Sequence, residues 1–125
     1  MFNVLNEVPY GVALEGIYFA GWRVQERAHY PDWRRWLPLR PGDARYPDSV
    51  AAAAKIIEEL ECRAGKPLAE LSDAELEPIW LQAHRVFDER SHRESPPDPV
   101  RGERLLADLR RRYGNGYSHA LAIMT

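Results

Sequence analysis

With 125 residues, 45% hydrophobic and 29% charged, and a formal net charge of −2, the chain has the make-up of one ordinary globular domain with no obligatory polyanion partner. Cys62 is the only cysteine, which excludes an internal disulfide and argues against a cysteine-based metal site. No apolar stretch approaches the roughly 20 residues of a membrane span, and the opening MFNVLNEVPYG lacks the basic start of a secretion signal, so a cytoplasmic protein is expected.

The charge is unevenly placed. Residues 43–80 hold nine acids against four bases, whereas residues 1–42 sum to +1 and residues 81–125 to +2. Fifteen of the seventeen basic residues are Arg, the side chain suited to fixed, bidentate contacts, although a GC-rich bacterial genome produces the same bias.

In chain order, residues 12–28 read first as a helix, with Leu14, Ile17, Gly21, Val24 and Ala28 on one face. Gly11, Gly16 and Gly21 each weaken that helix by roughly 1 kcal/mol against Ala. The alternative is a short hairpin, because Val8, Tyr10, Val12 and Leu14 alternate. Residues 30–47 contain four prolines with Tyr30, Trp33 and Trp36, which predicts a structured loop over the core with one turn near residues 32–36. A second helix is expected over residues 49–64, capped by Asp48 and stopped by Gly65, with Val50, Ala53, Ala54, Ile57, Leu60 and Ala64 inward.

Ser72 with Glu75 forms a capping box for a third helix reaching about Ser91, its inner face Leu76, Ile79, Trp80, Ala83 and Phe87, with a kink or restart expected at Pro78. SPPDP at residues 95–99 stops it. A fourth helix opens at Asp98-Pro99, buries Leu105, Leu106, Leu109 and Tyr113, and ends at Gly114. Residues 117–125 are apolar enough to dock as a strand or final turn. The pattern implies a mainly α, compact four-helix domain spanning residues 1–125, with a Pro/Trp-rich loop after the first helix. The alternative is an α+β domain with an N-terminal hairpin.

Reaction chemistry is sparse. Glu26-Arg-Ala-His29 and Glu89-Arg-Ser-His92 have the i,i+3 spacing of carboxylate-bridged dimetal bundles, but both pairs fall away from the apolar stripes, so no metal is expected. Cys62 lies near Glu58 and Glu59, whose charge disfavours a thiolate. Ser91-His92 and Ser118-His119 lack a glycine-flanked nucleophile elbow. The residues 114–117 turn lacks the strand-to-helix context of a phosphate loop. His84 with Asp88 at i+4 is the one candidate general base, and the same spacing gives an ordinary surface contact.

Three features suit binding better than catalysis. Glu58, Glu59 and Glu61 stand at the negative end of their helix dipole, which suggests attraction to something basic; Glu70, Asp73, Glu75 and Glu77 extend the acidic region. Trp33, Arg34, Arg35 and Trp36 are the residue types that anchor interfaces. Arg101, Arg104, Arg111 and Arg112 form a ridge that phosphates would use, with Asp108 inside it. The expectation is a non-enzymatic protein-binding module without cofactors that meets a basic partner through Glu58, Glu59, Glu61, Trp33, Trp36, Arg34 and Arg35. A bacterial or phage immunity protein, antitoxin or accessory protein has this make-up. A nucleic-acid-binding domain using the Arg ridge, or a small enzyme with His84 as base beneath the tryptophan loop, is the alternative.

Overall fold

A computed structural model describes residues 1–37 and 46–94. The described chain is helical, in the order α1 (Val4–Glu7), α2 (Tyr10–Gln25), α3 (Pro47–Ala64), a 3₁₀ turn (Leu68–Glu70) and α4 (Asp73–Glu94), with no strand among the described residues. Residues 10–25 are therefore helix and not hairpin. The predicted helix over residues 99–113, its four inward residues, the 95–99 stop, the 114–117 turn and the 117–125 tail lie outside the described residues.

The interface between α2 and α3 is the backbone of the domain. It depends on Gly16, where an added Cβ would meet the Ala52 Cβ at 2.9 Å and the Ala53 backbone nitrogen at 3.5 Å. Small residues on both sides let the two helices approach closely. Every residue from Gly16 to Gly21 is buried, so the second half of α2 is enclosed nearly all round. The single stripe expected from the sequence was too narrow: Tyr18, Phe19 and Ala20 are buried as well, Leu14 is half-buried, and Ala28 lies exposed beyond the helix.

Pro47 opens α3 at a position where its missing N–H costs nothing. Asp48 is thus inside the first turn, not at the cap, which falls to Tyr46. Gly65 ends the helix at φ 70°, the left-handed conformation that favours glycine, and its N–H donates to the Glu61 carbonyl at 2.9 Å. The inward face is Ala52, Ala53, Ile56, Ile57 and Leu60; Val50, Ala54 and Ala64 are half-buried on its flank.

The α4 capping box forms as read. Glu75 N–H donates to Ser72 Oγ at 3.2 Å, and Ser72 N–H donates to Glu75 Oε1 at 3.2 Å. The helix runs unbroken through Pro78 with no restart. Pro78 and Ala74 are both exposed, so water can satisfy the carbonyl the proline leaves without an intrahelical donor. Leu76, Trp80, Ala83 and Phe87 enter the core as expected, and Ile79 is half-buried.

The first residues are also core. Phe2, Val4 and Leu5 are buried, and Phe2 adopts φ 48° while its N–H donates to Glu59 Oε2 at 2.5 Å. Arg90 Nη1 donates to the Leu5 carbonyl at 2.5 Å, Arg93 to Asn6 Oδ1 at 2.9 Å, and Tyr10 and Ser91 share a hydroxyl bond at 2.9 Å. These contacts hold α1 and the start of α2 against the end of α4.

Candidate interaction surface

Past α2 the chain makes a turn at Glu26, whose carbonyl accepts from Tyr30 N–H at 3.1 Å. A tight turn follows, with Arg35 N–H donating to the Asp32 carbonyl and Trp36 N–H to the Trp33 carbonyl, each at 3.1 Å. That turn sends the two tryptophans in opposite directions. Trp33 is 3% exposed and packs into the core, whereas Trp36 is 44% exposed. Arg34 stacks over the Trp33 ring at 4.4 Å, Arg35 over the Trp36 ring at 5.4 Å, and Tyr30 packs against Trp36 with ring centroids 5.3 Å apart.

Beneath this loop lies Arg23, fully buried on α2. Its Nη2 donates to the Trp36 carbonyl at 2.5 Å, and its guanidinium sits 4.7 Å from the Tyr30 ring centroid. Burial lowers its pKa to about 10, only partly opposed by Tyr30 and Glu26. Beside the loop, Trp33, Leu37, Pro47, Val50, Ala54 and Glu58 help line a mainly apolar groove of about 420 Å³. Residues 38–45, the rest of the expected loop, are outside the described residues.

The glutamates at the end of α3 find partners within the molecule. Glu58 pairs with Arg34 at 3.4 Å. Glu59 accepts from Phe2 N–H and lies 3.9 Å from Arg63. Glu61 accepts from Leu68 N–H at 2.8 Å, which caps the 3₁₀ turn, and lies 3.9 Å from Arg34. Their placement against the helix dipole has an internal cause, since two of them satisfy backbone donors that the helix does not. Further along, Asp73 pairs with Arg27, and Glu75 with Lys66 at 2.6 Å. The Lys66 ammonium and the Ser72 contacts hold the Glu75 carboxyl down to about 2. The structure thus brings Arg34 to Glu58 and Glu61 and to the Trp33 ring, but Glu59 turns toward the N-terminus, away from the loop's set of contacts.

His84 is 4% exposed and meets Trp80 edge-on at 5.0 Å. Neither ring nitrogen has a hydrogen-bond partner among the described residues, Asp88 is exposed, and burial lowers the imidazole pKa to about 4. No group orients it, and it is not among the residues lining the groove beside the loop. Glu26 and His29 make a surface contact at 3.7 Å, Glu89, His92 and Cys62 are exposed, and no cluster of three metal-ligating residues exists among the described residues. No described helix is long and apolar enough to cross a membrane. Arg101, Arg104, Arg111 and Arg112 lie outside the described residues.

Sequence reasoning missed three arginines. Arg23 is the lone cation in the apolar run GIYFAGWRV, and Arg90 continues the 76–80–83–87 series of buried positions. Arg27 donates to the Leu71 carbonyl at 2.9 Å and to Asp73, joining the end of α2 to the start of α4. The first two had a legible signal, a charge at a core position. Arg27 had none.

No family model matches this chain, and no curated protein or solved structure is similar enough to match it.

Proposed function

We propose that this protein is a non-enzymatic binding module that recognises another protein, with the residues 30–37 loop as its anchor. The observation that carries the reading is Trp36: a large ring 44% exposed, on a turn held by its own hydrogen bonds and by a buried arginine. Leaving such a ring in water forgoes its burial energy, and preorganised Trp and Arg side chains are what interface hot spots are made of. Arg35 beside it and the apolar groove behind Trp33 supply a polar rim and a place for a partner's side chain.

Residues 43–80 hold nine acids against four bases within a chain of net charge −2, a local acidic field that favours a basic partner. Because Glu59 and Glu61 are engaged internally, their contribution is to this field, with Glu58 and Arg34 as a pair that can be re-shared at the rim. A small neutralising protein of the immunity or antitoxin kind, or an accessory protein, is the class that suits these features.

The test is to capture a partner by crosslinking in lysate, identify it, and measure affinity with purified components. Trp36→Ala is expected to weaken binding by about 30-fold or more, the loss typical of a hot-spot residue. Association is expected to slow as salt rises, and more so for Glu58→Lys. An unchanged affinity for Trp36→Ala removes the loop from the interface and the proposal with it.

A further inference from the structure

Trp36 and the groove beside its turn are complementary in chemistry, yet they do not meet within one molecule. The turn brings Trp33, Arg34 and Leu37 to the groove wall, which Val50, Ala51 and Glu58 of α3 help complete. Trp36 is not among the lining residues and packs instead on Tyr30, with ring centroids 5.3 Å apart. An exposed ring and an open apolar groove of about 420 Å³ thus share one turn, and each leaves apolar surface in water. The charges are divided in the same way. Arg35 stacks over the Trp36 ring at 5.4 Å, is exposed, and makes no ion pair among the described residues. Glu58, at the groove, accepts from Arg34 through Oε1 at 3.4 Å, and its Oε2 has no partner among the described residues. An anchor flanked by a cation and a receptacle flanked by an anion, both on one surface, suit an isologous contact. In such a contact the same patch of two copies pairs about a two-fold axis, and every interaction occurs twice.

We infer that two copies of this chain pair through this surface, the Trp36 ring of each entering the groove of the other and its Arg35 meeting the other copy's Glu58. The inference rests on the reading of Trp36 as an interface anchor and adds how that anchor is covered when no other protein is bound. A second copy is favoured as the occupant because it carries, on adjacent residues, both the ring that suits the groove and the cation that suits Glu58. The net charge of −2 per copy opposes the pairing little at physiological salt. Two rings with their flanking residues form a small interface, below the roughly 1,200 Å² where standard-sized interfaces begin. The pair is therefore weak and reversible, with a Kd on the order of 10–100 μM. A protein that binds Trp36 more tightly displaces the second copy, so pairing and partner recognition exclude each other by mass action.

Sedimentation equilibrium of the purified full chain from about 1 μM to about 1 mM, a range that brackets this Kd, is expected to show a mass rising from one chain towards two. Trp36→Ala and, separately, Ala51→Glu, which places a charge in the groove, should each stay single throughout. Arg35→Glu and Glu58→Arg each set like charges against one another twice and should weaken self-pairing by about 10-fold or more. Mixed in equal amounts, these two variants regain opposite charges at both contacts and should pair about as tightly as the unmodified chain. All four positions are exposed, so the variants should keep the parent's circular dichroism spectrum. A chain that stays single up to about 1 mM overturns the inference. So does pairing undiminished in Trp36→Ala or Ala51→Glu, or a charge-swapped mixture that pairs no better than its components. None of these outcomes touches partner recognition, which is measured on the captured partner with the chain held well below the self-pairing Kd, so the two readings fail separately.

Discussion

His84 illustrates how a residue's chemistry follows from its surroundings. Packed on Trp80 without a hydrogen-bond partner among the described residues, it acts as an aromatic spacer, and its pKa of about 4 keeps it neutral at pH 7. In the unfolded chain the same imidazole titrates near 6.5. Between these values the unfolded state binds the extra proton, so stability is full above pH 6.5 and falls as pH drops toward 4. From pH 7 to pH 5 the loss from this one group is about 2 kcal/mol. Urea unfolding at the two pH values should show it, and His84→Phe should flatten the slope in that window. A wild-type midpoint unchanged at pH 5 would show that the ring has reached water or a partner.

At the scale of elements, two glycines of α2 make opposite predictions. Gly11 is exposed near the start of the helix and an added Cβ meets nothing within 4 Å, so Gly11→Ala should stabilise by up to about 1 kcal/mol through helix propensity. Gly16→Ala gains the same propensity but drives a methyl into Ala52 Cβ, which is fixed to the α3 backbone and cannot swing away. Overpacking costs typically about 1–3 kcal/mol, so the net effect is expected to be a lower Tm. Thermal melts of the two variants side by side check the helix contact. A Gly16→Ala protein as stable as the parent would mean that α2 and α3 do not approach this closely. The sequence showed both residues only as helix-weakening glycines, because propensity is a property of one helix and close approach is a property of two.

For the whole molecule, the main consequence is that the domain is closed from its first residues. Arg90, buried on α4, holds the carbonyl of Leu5 and stacks near Tyr10 at 5.9 Å. Arg90→Met keeps most of the apolar stem but leaves that carbonyl unpaired, at a cost of about 1.5–3 kcal/mol. It should raise amide hydrogen exchange at residues 4–8 before it affects α3. Protection that stays uniform in the variant would show that α1 is held by its apolar contacts alone. The same architecture explains the fate of the acidic end of α3: Glu59 serves the N-terminus, Glu61 the 3₁₀ turn, and Glu58 the loop.

What could be read from the chain itself was whatever depends on neighbours in sequence. The Ser72–Glu75 capping box, the Gly65 stop, the turn around residues 32–36 and the inner face of α4 are local patterns, set by dihedral preferences and by hydrogen bonds spanning three or four residues. The direction each tryptophan of the loop faces, the burial of Arg23 beneath it, the insertion of Phe2 and Leu5, and the partners of the three glutamates were decided only by tertiary packing. Those outcomes join residues from 7 to 85 positions apart. Whether a charge there is solvated, paired or stranded depends on which helix happens to cover it, and no local spacing carries that information.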